Sequence, residues 1–129
     1  MIAEDYLALI KSLIALCSAV KSFSILREEA QSKKGLWRYR LTLQDDSLLE
    51  MFEFFEIQSD KVKVIKYSFH WQSENGNFIK RWDNAAHHPE IETYPHHLHE
   101  GAEDFVLPYQ PVKFEEILQI VSEQINSSL

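Results

Sequence analysis

The chain has little of several things. It holds one cysteine, Cys17, so no internal disulfide can form, and a reducing cytoplasm is the expected compartment. Three glycines and four prolines in 129 residues are too few for a linker-rich or disordered polypeptide. No apolar run reaches the roughly 18 uninterrupted residues that a membrane helix needs. The N-terminal apolar stretch is broken by Lys11, and Glu4 and Asp5 stand where a signal peptide would carry basic charge. Positive charge is also scarce: 13 Lys and Arg against 20 Asp and Glu give a net charge of −7, unlike the basic footprint of a general polyanion binder. The scarcity is uneven. Lysines and arginines crowd between Arg27 and Arg81, and Lys113 is the only one from Ala85 onward, so a local basic face survives on an acidic chain.

What is present is a core. A hydrophobic content of 45% supports one domain over residues 1–129, with no internal repeat or low-complexity tract. Tyr6, Leu9, Ile10, Leu13, Leu16, Cys17 and Val20 recur at helical spacing and predict an amphipathic helix over residues 3–22. The charged stretch Arg27–Gly35 reads as a connecting loop. Four strands follow, at Leu36–Leu43, Leu48–Ile57, Val62–Gln72 and Asn77–Asn84, separated by turn material such as Ser59-Asp60 and Ser73-Glu74-Asn75-Gly76. Such short connections imply antiparallel neighbours. Ala85–Gly101 shows no period and reads as a long loop, of the kind that carries function. Phe105–Leu107 is a candidate fifth strand. Phe114, Ile117, Leu118, Val121 and Ile125 mark a C-terminal helix preceded by Pro111, with Glu115 and Glu116 near its positive end. The predicted class is α+β: an antiparallel meander of four to five strands flanked by an N-terminal and a C-terminal helix, as a two-layer sandwich.

Chemistry concentrates late in the chain. All six histidines lie between His70 and His99, five of them between His87 and His99. Imidazole is the side chain whose charge changes near neutrality, and when neutral it binds metals. In an extended Tyr67–Gln72, Lys66, Ser68 and His70 share one face while Tyr67, Phe69 and Trp71 share the other. Arg81 and Asp83 share a face of the next strand, so His70, Arg81 and Asp83 converge if the two polar faces coincide. A cross-strand ion pair on a solvated face is the plainer explanation. Pro89 and Pro95 stiffen the loop that holds His87, His88, His96 and His97.

Three chemistries could use these groups. Metal-independent RNA cleavage needs a base for the 2′-hydroxyl, an acid for the leaving 5′-oxygen and a cation at the phosphorane. Candidates are His70, His87, His88, His96 and His97 for proton transfer, Arg81 for charge, and Asp83 to orient an imidazole. Lys66, Trp82, Asn84 and Tyr94 are the candidate substrate contacts, Trp82 and Tyr94 as stacking surfaces. Metal binding could use His97 and His99 with His87 or His88, but no established ligand spacing is present, so no cofactor or metal is assigned. Nucleophilic catalysis is weakest: no G-x-S-x-G elbow exists, and Cys17 falls on a predicted buried helix face.

Three segments carry a resemblance: Tyr67-Ser68-Phe69-His70-Trp71-Gln72, then Arg81-Trp82-Asp83-Asn84-Ala85-Ala86-His87-His88-Pro89-Glu90, then Thr93-Tyr94-Pro95-His96-His97. Together they resemble the TumE-like family of small prokaryotic toxins from toxin–antitoxin modules. Ala86 stands where many members have proline, and Leu98 where a basic residue is usual. The resemblance implies growth inhibition, neutralised by a co-encoded antitoxin of helix-turn-helix type. RNA as substrate is inferred from the histidines and from small toxins generally; a homodimer is compatible with it, and a membrane partner is not expected. A binding module that docks a protein partner through the histidine loop, and a metal-dependent hydrolase using the same histidines, are the alternatives.

Overall fold

A computed structural model describes residues 1–127. The elements run α1 (Ala3–Leu16), β1 (Val20–Gln31), β2 (Lys34–Leu43), β3 (Leu48–Gln58), β4 (Lys61–Gln72), β5 (Phe78–Asp83), β6 (His97–Glu100), β7 (Val106–Pro108) and α2 (Phe114–Ser127). The strands form one antiparallel sheet in sequence order. The class is α+β as expected, but the sheet has seven strands rather than four to five.

Local chemistry explains the meander. Ser59 and Asp60 both take positive φ, 51° and 60°, which is the two-residue turn whose twist matches a hairpin, here joining β3 to β4. Gly76, at φ 84°, closes the turn between β4 and β5. Gly35 is different. It lies inside β2, where a Cβ would come within 2.8 Å of both the Glu29 carbonyl oxygen and the Phe55 ring. It is needed for close packing, not for the loop that the sequence suggested.

One face of the sheet is apolar. Trp37, Tyr39, Leu41 and Leu43 alternate along β2, Leu49, Met51, Phe55 and Ile57 along β3, and Tyr67, Phe69 and Trp71 along β4, all buried. Both helices cover this face. The Phe114 ring of α2 meets Tyr6 of α1 at 6.5 Å and Trp37 of β2 at 5.7 Å between centroids. Phe114, Ile117, Leu118, Val121 and Ile125 of α2 are all buried, as their spacing predicted. The Glu116 carboxylate accepts the Lys113 backbone N–H at 3.1 Å, satisfying one free donor at the start of α2. Among the described residues, no helix lies over the opposite face of the sheet.

Several expectations fail here for identifiable reasons. The helix predicted to residue 22 ends at Leu16, where the Cys17 N–H bonds the Ile14 carbonyl oxygen. Its buried stripe is Ala3, Tyr6, Leu7, Ile10 and Ile14, leaving Leu9 and Leu16 at 47% and 82% exposure. Cys17 is half-buried, with Sγ 3.6 Å from Ser122 Oγ, not on a buried helix face. The supposed loop Arg27–Gly35 belongs largely to β1 and β2. Register shifts at Val20/Ser22 and Ile25/Arg27 break the period-two signal of β1, and most of its side chains are exposed. The long loop predicted to Gly101 gives way to β6 at His97, and the strand expected at Phe105–Leu107 is Val106–Pro108.

Candidate functional site

The register of β3 to β6 writes two rows across the uncovered face. Glu50 pairs with His70, His70 with Arg81, and Arg81 with His99. In the next row Phe52 pairs with Ser68, Ser68 with Asp83, and Asp83 with His97. His70, Arg81 and Asp83 therefore share one side of the sheet, because side chains two residues apart point the same way. Position 98 points the other way. Leu98 is buried toward the core, so a basic residue at this position would not stand beside the histidines.

Asp83 is the hub. One carboxylate oxygen lies 2.9 Å from His97 Nε2, and the other lies 3.4 Å from His99 Nε2 and 3.1 Å from Arg81 Nε. The carboxylate also accepts the Ala85 N–H at 3.0 Å. Arg81 continues to Glu103 Oε1 at 3.0 Å and to His99 Nε2 at 3.2 Å. A guanidinium only donates, so Nε2 of His99 accepts and its Nδ1–H donates to the Glu103 carbonyl oxygen at 2.6 Å. Burial, the largest influence, lowers the His99 pKa, and Arg81 pushes the same way. At His97, Nδ1 faces the Pro95 carbonyl oxygen at 2.8 Å while Nε2 faces Asp83. Both neighbours are hydrogen-bond acceptors.

Beside this network lies a cleft of about 340 Å³ lined by Arg38, Phe52, Lys66, Ser68, Arg81, Asp83, His87 and His97, among others. Arg38 rests on the Phe52 ring at 4.6 Å and pairs with Glu50 at 2.9 Å. His87 is exposed on the cleft wall. His88 is half-buried, its ring 5.1 Å from that of His97 and its Nδ1 3.3 Å from Glu90.

The other predicted site residues scatter. His70 sits beside Arg81 in the row but does not line the cleft; its ring tilts against Phe78 at 5.1 Å. Its Nε2 is buried without a hydrogen-bond partner among the described residues, and burial, then Arg81, lowers its pKa. His96 is on the helix side, bonded to the Tyr67 hydroxyl at 2.9 Å in a separate cleft of about 310 Å³ with Tyr6 and Glu53. It is therefore apart from His97, its neighbour in sequence. Trp82 is 1% exposed in the core and cannot stack on a base as expected. Asn84 is spent on structure: Oδ1 accepts the Tyr67 N–H and Nδ2 donates to the Ile65 carbonyl oxygen. Tyr94 is exposed and outside the cleft lining. The sequence reading did not find Arg38 or Glu103, and it gave His99 only to the metal alternative. The matched alternation Arg81-x-Asp83 and His97-x-His99 was the available signal for His99.

Among the described residues no helix is long and apolar enough to cross a membrane. No curated protein and no solved structure matches the chain significantly. Residues 10–128 match the family described as Toxin TumE, a span that takes in all seven strands and the whole histidine cluster. The match covers nearly the full length, and the chain belongs to the TumE toxin family.

Proposed function

We propose that this toxin arrests growth by cleaving RNA without a metal, in the cleft on the uncovered face. The observation that supports this best is the Asp83–His97 pair, 2.9 Å apart and buried, opening onto a cleft that also holds Arg38, Lys66, Arg81 and His87. The cations bind the phosphate, and Arg81 stabilises the charge that grows on the phosphorane. His87, exposed on the wall, takes the proton from a ribose 2′-hydroxyl. The 2′-oxygen attacks phosphorus, the bond to the 5′-oxygen breaks, and His97 gives that oxygen its Nε2 proton as Asp83 releases it. The products are a 2′,3′-cyclic phosphate and a 5′-hydroxyl. A toxin family implies a cognate antitoxin; an acidic or extended segment of a helix-turn-helix partner, laid over the cations, would block the cleft.

The test is incubation of the purified chain with end-labelled single-stranded RNA in EDTA, with mapping of the ends. Cyclic phosphate termini that vanish with His87→Ala and His97→Gln support the reading. Growth arrest with RNA intact under every condition rejects it.

A further inference from the structure

Nitrogens of His88, His97 and His99 lie within 4.8 Å of one another. The three rings are mutually crossed, at 74°, 69° and 73°, with centroids 5.1, 6.0 and 4.7 Å apart. Each ring also has a partner at Nδ1. Nδ1–H of His97 donates to the Pro95 carbonyl oxygen at 2.8 Å, and that of His99 to the Glu103 carbonyl oxygen at 2.6 Å; Nδ1 of His88 faces the Glu90 carboxylate at 3.3 Å. Ligating imidazoles are held in this way, which fixes the tautomer and aims Nε2 forward.

Beside two of these nitrogens stands the Asp83 carboxylate, one oxygen 2.9 Å from His97 Nε2 and the other 3.4 Å from His99 Nε2. Around a tetrahedral ion with bonds of about 2.0–2.2 Å, neighbouring donors sit roughly 3.3 Å apart. The carboxylate meets two of the three histidines, each through a different oxygen, and the histidine nitrogens, within 4.8 Å of one another, reach that spacing by closing at most about 1.5 Å. Arg81, which shares His99 Nε2 at 3.2 Å, retains Asp83 and Glu103 as partners when it gives that nitrogen up.

We infer that His88, His97 and His99 bind one divalent cation of the zinc class. Three imidazoles suit zinc or cobalt; magnesium and calcium prefer all-oxygen sites. The geometry alone carries the binding. Its consequence rests on the proposed acid–base function: a cation on Nε2 of His97 removes the nitrogen that serves as acid, so occupancy inhibits cleavage.

The full chain, stripped with chelator and dialysed, is titrated with Co²⁺ and then Zn²⁺. One equivalent of Co²⁺ should give the visible bands of a tetrahedral site, and Zn²⁺ should displace it. Nitrogen NMR on the unaltered chain should show His88, His97 and His99 responding while His70 and His96 do not. His88→Gln and His99→Gln should weaken binding about tenfold or more, and His96→Gln should leave it unchanged. No saturable binding, or unchanged affinity in both ligand variants, overturns the site; the NMR arm decides if a variant misfolds. RNA cleavage should fall as Zn²⁺ fills the site. Cleavage that requires the metal overturns the inhibition and the metal-free mechanism but leaves the site standing. Metal binding with no cleavage in either form rejects the ribonuclease reading alone.

Discussion

Glu53 should make this protein less stable as pH rises, and Glu53→Gln should remove the effect. Its carboxylate is 1% exposed on the core face of β3, with Oε1 accepting from the Tyr6 hydroxyl at 2.7 Å and from Trp37 Nε1 at 3.0 Å. Burial outweighs those two donors and pushes its pKa up to about 7 from 4.5. The fold therefore favours the neutral acid. Below pH 4.5 both folded and unfolded chains hold the proton, and the advantage is complete. Between 4.5 and about 7 the unfolded chain releases it first, and stability falls with rising pH until both forms are ionised. At about 1.4 kcal/mol per pH unit, the loss is on the order of 3 kcal/mol, or roughly 10 °C of melting temperature for a domain of this size. Glutamine keeps the carbonyl acceptor for Tyr6 and Trp37 and cannot ionise. Urea unfolding from pH 5 to 8 should show the variant and the parent nearly equal at pH 5 and the variant more stable at pH 8. Parallel pH dependences for the two proteins would refute the reasoning.

Three further outcomes are expected. His87→Ala should lower RNA cleavage by about 10²–10⁴-fold with less than about 0.5 kcal/mol of lost stability, whereas His96→Ala, on the other side of the sheet, should cleave normally; product quantification and calorimetry separate these. Lys66→Ala should weaken RNA binding and flatten its dependence on salt, read by fluorescence anisotropy across a salt series, because one phosphate contact is lost. Leu118→Ala should destabilise by about 2–5 kcal/mol through cavity formation, measured by urea unfolding, since Leu118 is only 6% exposed within the core of α2.

How legible the fold was depended on burial. The central strands and α2 announce themselves because one face of each is buried, which writes period two or 3.6 into the residues. Strand β1 does not: two bulges interrupt it, and Ile25 and Leu26 are both exposed. Strands β6 and β7, four and three residues long, are too short to show a period. For the site, alternation placed Arg81 and Asp83 on one face of their strand and left their meeting with His70 conditional; the register of β4 against β5 supplies it, and that of β5 against β6 brings His97 and His99 to Asp83. Adjacency in extended backbone implies that His96 and His97 point to opposite sides, but not which of them faces the site; His97 meets Asp83 and His96 meets Tyr67. Trp82 was misplaced by its neighbours in sequence: beside Arg81 along the chain, it points away from Arg81 in space.

The brevity of β6 has a genetic consequence. Within its four residues, Leu98 plugs the core while His97 and His99 belong to the network around Asp83, and all three are buried. Under the proposed chemistry this strand interleaves folding and chemistry residue by residue, as Arg81, Trp82 and Asp83 do in β5. When cells are selected for survival of toxin expression, changes in this strand disarm the protein by either route. Among survivors, a lost activity traced to positions 97–99 therefore says little about which histidine reacts, whereas a survivor altered at exposed His87 points to the chemistry itself.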